Sequence, residues 1–213
     1  MKLRNLIWVV GLLTTHQMFS QIAAPTAFSN YTGCAHNTCT WVPDSAQKTF
    51  QRGDFNYLVD ATGAETNGTF VLKRNGEVLL HTALQDLSAS VSVVWSQKND
   101  AFAITWSDGG AIGGFHVRVF QIHDRTVEEV PASEKAIASF KLRHYCRSRG
   151  NNVQAYRWLN SDQLLIVTSV YPTGDCGSDG GHMEGYVVHV QDGSIVRHLN
   201  PQELKADMRE HPE

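Results

Sequence analysis

The sequence predicts a mainly β fold, an antiparallel meander of repeated units with a short C-terminal helix. Three observations predict it. From residue 69 onward, short apolar runs alternate with Gly-, Asn- and Asp-containing turns. A thirteen-residue pattern occurs twice. And of the 213 residues, 42% are hydrophobic and only 18% charged, a balance that builds a core and does not suit a disordered or coiled-coil chain.

The elements follow in order. Residues 25–66 are rich in Thr, Gly, Asn and Asp with little periodicity, and read as irregular chain with one or two short strands such as Phe55 to Val59. Thr69 to Leu72 and Val78 to Leu80 flank Asn75-Gly76, the dipeptide that supplies two positive-φ positions to a hairpin turn. Val91 to Trp95, Ala101 to Trp106 and Phe115 to Ile122 are the next strands. Ser133 to Tyr145 has Ala136, Ile137, Phe140 and His144 at helical spacing. Tyr156 to Trp158, Leu164 to Val170, Tyr186 to Val190 and Ile195 to His198 complete the strands. Asn200 as N-cap, Pro201 at the first helical position and Glu203 at the third then mark a helix start, which Leu204 and Met208 dock.

The repeat sets Ser107 to Val119 against Ser178 to Val190, with seven of thirteen positions identical, among them both Ser-Asp-Gly-Gly runs. Upstream, Trp95 to Thr105 matches Trp158 to Thr168 in length, end residues and late apolar run. The second copy alone carries eight extra residues, Val170 to Gly177. Residues 69–80 resemble the last hairpin of the second copy, around Asp192-Gly193, and so make a partial unit ahead of two good ones. A strand starting at Trp, a polar turn, an apolar strand, a Gly-rich loop and a closing hairpin resemble a blade of a WD40-like or TolB-like β-propeller, over residues 66–200. That resemblance implies propeller-blade-like sheets. A closed propeller needs at least four blades of about 40 residues. The expectation is therefore a small or incomplete propeller, or a β-sandwich.

The start of the chain obeys a different rule. Lys2 and Arg4 precede an apolar run, Leu6 to Leu13, and small residues follow through Ser20, Ala23 and Ala24. This is the order of a secretory signal peptide, assigned to residues 1–24, ahead of one β-rich domain over 25–213. The apolar run is too short for a spanning helix, so no integral membrane segment is expected after signal removal. Four cysteines suit an oxidising, secreted or periplasmic setting. Of three pairings, Cys34 with Cys39 and Cys146 with Cys176 are favoured. A net charge of −3 suggests neither a nucleic acid nor an anionic membrane surface as partner of the whole chain.

Candidate sites centre on the second Gly-rich loop. Asp175, Asp179, His182 and Glu184 offer oxygen and imidazole groups within ten residues, while the first copy has Ala111 and Gly113 where the second has His182 and Glu184. The spacing matches no calcium loop or zinc motif, and each Asp also serves as the start of a Gly turn. No metal or cofactor is assigned. The ten histidines are scattered, with no pair at i, i+4, and none is counted as a ligand. Lys141, Arg143, His144, Arg147 and Arg149 concentrate positive charge within nine residues of an otherwise mildly acidic chain, a second contact segment suited to another protein or an anionic envelope polymer. Gly-Asp-Cys-Gly at 174–177 resembles the nucleophile turn of chymotrypsin-like cysteine proteases, which would make Cys176 the nucleophile, but no upstream His has that family's setting. The functional expectation is an extracytoplasmic, non-enzymatic binding protein whose contact loop is 173–184. An exported hydrolase is the alternative.

Overall fold

The computed structural model describes residues 33–35, 38–41, 47–60, 67–87, 90–108, 114–144, 152–170 and 174–211. Fourteen strands and two helices appear among them. A hairpin of β1 (Gly33–Ala35) and β2 (Thr38–Trp41) comes first, followed by three antiparallel meanders. Sheet I holds β3 (Gln47–Arg52), β4 (Phe55–Asp60), β5 (Asn67–Arg74) and β6 (Glu77–Gln85). Sheet II holds β7 (Val91–Trp95), β8 (Ala101–Ser107), β9 (Phe115–His123) and β10 (Thr126–Val130), and β2 extends it by pairing with β7. Helix α1 (Glu134–Lys141) leads to sheet III, made of β11 (Asn152–Trp158), β12 (Gln163–Ser169), β13 (Met183–His189) and β14 (Ile195–Leu199). Helix α2 (Pro201–Glu210) closes the chain.

The sheets stack in chain order. Because side chains alternate across a strand, sheet II offers two apolar faces. Val91, Val93, Trp95, Phe102, Ile104 and Trp106 pack on Phe55, Tyr57, Phe70 and Leu72 of sheet I. Val94, Ala101 and Ala103 pack the other way, on Val153, Ala155, Trp158, Leu164 and Ile166 of sheet III. Strands β7 and β8 are buried at every residue, as a middle layer requires. The far face of sheet III, with Tyr156, Leu165, Val167 and Val187, is covered by Leu204 of α2. Among the described residues no apolar cluster joins sheet I to sheet III, so the three sheets form an open stack that α2 caps at one end. Polar bonds tie the layers. Trp158 Nε1 donates to the Val94 carbonyl at 3.0 Å, and Ala155 N donates to Thr105 Oγ1 at 3.0 Å. Arg118 pairs with Glu129 and reaches Thr82 of sheet I.

The expected hairpin turn is present, with Asn75 at φ 51° and Gly76 at φ 85°. So are both helices. In α2, Asn200 accepts from Gln202 N and Glu203 N, while Glu203 bonds back to Asn200 N, a complete capping box. Trp95, Trp106 and Trp158 are core residues, as expected.

Two expectations change. Residues 25–66, expected to be mostly irregular, supply β1 to β4, and the partial unit at 69–80 belongs to a complete four-stranded sheet. Sheet I has one solvated face, so β4 alternates Phe55, Tyr57 and Val59 inward with Asn56, Leu58 and Asp60 outward. That alternation dilutes the apolar signal which the doubly buried strands show as continuous runs. The repeat also slips. Thr105 pairs with Val117, and its counterpart Thr168 pairs with Glu184, where the Ser-Asp-Gly-Gly match would place Val188. The slip is four residues, an even number, so each side chain keeps its face.

Candidate binding site

Three segments meet at one end of the core between sheets II and III. The first is the end of α1. Ala136 and Phe140 anchor the helix in that core. The turn continues beyond Lys141 through bonds from Arg143 N and His144 N to the Phe140 carbonyl, which set both side chains against sheet III. The second is the loop after β12. Gly174–Asp179 forms a short 3₁₀ stretch kinked at Gly177, and bonds between Val170 and His182, Gly181 and Val170, and His182 and Asp179 close it onto β13. The third is β14, where His198 lies directly opposite Tyr186 and therefore shares its face. Glu184 is two residues before Tyr186 on the same strand and faces the same way.

Glu184 is the centre. Its side chain is 6% exposed, yet it is ringed by partners. Arg143 NH2 lies 2.6 Å from Oε2, the Tyr186 hydroxyl donates to Oε2 at 2.7 Å, and His198 Nε2 is 3.0 Å from the same oxygen. His144 Nε2 and His182 Nε2 each stand 3.3 Å from Oε1. The two imidazoles stack with centroids 3.8 Å apart, and Phe140 closes the apolar side, 5.1 Å from His144. Asp179 Oδ2 is 3.6 Å from His144 Nδ1.

Burial alone pushes the Glu184 pKa up. The hydrogen bonds from Tyr186, Arg143, His182 and His198 outweigh it and hold the carboxyl at about 2, so it is ionised at neutral pH. Burial, with the Glu184 charge beside it, pushes the Tyr186 phenol well up, and it remains a neutral donor. The bond to Glu184 raises Arg143 further.

The structure brings together four of the residues expected to bind, Arg143, Asp179, His182 and Glu184. Arg147, Arg149, Cys146 and the side chains of Asp175, Cys34 and Cys39 lie outside the described residues, as do residues 1–24. The Cα positions of Cys34 and Cys39 are cross-strand partners. Cys176 is disulfide-bonded. Tyr186 and His198 are not among the sequence-based candidates, and His144 is one only as part of the basic 141–149 segment. His144 is forty residues from Glu184 in sequence and enters only through the turn after α1, which no spacing rule reads. For His198 and Tyr186 a signal existed, since paired strands β13 and β14 place them opposite each other.

One feature separates the two repeat copies chemically. Thr105 Oγ1 is bonded to Ala155 N, whereas its counterpart Thr168, buried beside Glu184, has a hydroxyl with no hydrogen-bond partner among the described residues. Compared with family models, curated proteins and solved structures, the chain finds no significant match.

Proposed function

We propose that this protein is an extracytoplasmic, non-enzymatic binding protein, and that the Glu184 cluster is where it engages its ligand. The observation that carries this is a buried, ionised carboxylate gathering an arginine, three histidines and a tyrosine from three separate segments. A folding core does not need such a group. Replacing a buried ion pair by apolar or neutral residues of like volume is often neutral or stabilising. Export is supported by the basic-then-apolar start and by the disulfide at Cys176. The same disulfide argues against the cysteine-protease form of the hydrolase alternative, because a bonded sulfur offers no thiolate nucleophile.

The test is the double variant Glu184→Gln with Arg143→Met. If the cluster serves a ligand, the double variant unfolds cooperatively within about 1 kcal/mol of wild type, while Glu184→Gln alone costs more because it strands Arg143. A loss of about 3–5 kcal/mol in the double variant would make the cluster a structural device and end this reading.

A further inference from the structure

We propose that His144, His182 and Glu184 bind one zinc-class divalent transition-metal ion, leaving a fourth coordination position for water or an oxygen from a partner. This rests on Glu184 being the centre of the binding site and names the ligand that site takes.

The distances separate two kinds of contact around one carboxylate. On Oε2, Arg143 and Tyr186 approach to 2.6 and 2.7 Å, the lengths of charge-assisted hydrogen bonds. On Oε1, both imidazole Nε2 atoms stand off at 3.3 Å. Both are at the long end of hydrogen-bond range, longer than any of the contacts to Oε2. That spacing matches two edges of a tetrahedron whose centre-to-ligand bonds are about 2.0–2.1 Å and whose ligands are about 3.3 Å apart, and the stacked rings turn apart for both lone pairs to meet one ion. All three donor atoms lie within 4.8 Å of one another. Two imidazoles with one carboxylate is a zinc donor set, whereas calcium and magnesium take oxygen ligands.

The surroundings orient the donors as metal sites do. His144 directs Nε2 to the site while Nδ1 faces the Asp179 carboxylate at 3.6 Å. Arg143 and Tyr186 occupy Oε2 and leave Oε1 as the single donor oxygen. The orphan hydroxyl of Thr168, paired across the strands with Glu184, is the kind of buried group that a bound water or ion satisfies. Its counterpart in sheet II already has a protein partner, and the position matching Glu184 there is Val117.

The experiment titrates the full-length, oxidised, metal-free chain with Co2+, following the visible bands of four-coordinate cobalt, and then displaces cobalt with Zn2+. One equivalent binds wild type. His144→Ala and His182→Ala each weaken binding at least about 100-fold. His123→Ala, on sheet II, leaves binding unchanged. Far-UV circular dichroism checks that each variant is folded. A second measurement needs no variant: in nitrogen-labelled histidine NMR of wild type, one equivalent of Zn2+ moves the Nε2 resonances of His144 and His182 together. No stoichiometric binding, binding that survives loss of both histidines, or shifts confined to other histidines would overturn the metal site. If that happens while the Glu184→Gln/Arg143→Met protein stays as stable as wild type, the metal falls and the binding-site reading stands.

Discussion

His144 and His182 stack ring on ring at 3.8 Å and direct their Nε2 atoms to the same oxygen of Glu184. They come from different segments, the turn after α1 and the loop residue just before β13, so the contact joins the sheet II–III connection to sheet III. The site therefore depends on how the layers are held, and several consequences can be measured.

The cap of the stack rests on one side chain. Leu204 is fully buried against Tyr156, Leu165 and Val187. Leu204→Ala is expected to cost about 2–5 kcal/mol, read as a lower urea midpoint. Gly185 permits the close approach, because a Cβ there would sit 3.0 Å from Leu204 Cδ1. Gly185→Ala is thus expected to destabilise as well, with α2 amides exchanging faster than those of β12.

The start of α2 offers a milder change. Asn200→Ala removes the side-chain acceptor for Gln202 N and Glu203 N. A loss of about 1 kcal/mol is expected in thermal or urea unfolding, with the unfolding cooperativity unchanged.

Trp158→Phe keeps an aromatic ring but deletes the Nε1 bond to the Val94 carbonyl that links sheets II and III. The expected cost is about 1–3 kcal/mol, since the acceptor remains buried. A change below the error of the unfolding curve would mean that the bond contributes nothing to layer docking.

Acidity should act through Glu184. Its folded pKa of about 2 lies below the ordinary 4.5, so on acidification the unfolded chain takes the proton first. The contribution is complete above about pH 5 and is lost as pH falls toward 2, on the order of 3 kcal/mol in all. Measured on metal-free protein, the stability difference between wild type and Glu184→Gln should shrink across that window. A difference that stays flat would contradict the assigned environment.

How far the sequence reaches can be argued from single residues. Doubly buried strands such as β8 and β12 appear as unbroken apolar runs, and α2 carries its capping residues in order. Sheet I is faint in the sequence because its solvated face interleaves polar residues with Phe55, Tyr57 and Val59. The asymmetry between the repeat copies pointed to His182 and Glu184, which do lie at the centre of the site. It could not supply His198, nor show that His144 of the basic segment meets Glu184, because both approaches depend on layer stacking and strand pairing across dozens of residues. Scattered histidines are poor evidence in a sequence and good evidence once three of them face one carboxylate.

The most direct measurement is anomalous scattering at the zinc edge from crystals of the protein grown with one equivalent of Zn2+. The account predicts a single peak bounded by His144 Nε2, His182 Nε2 and Glu184 Oε1. A map with no peak there, or with zinc only at other histidines, would contradict it.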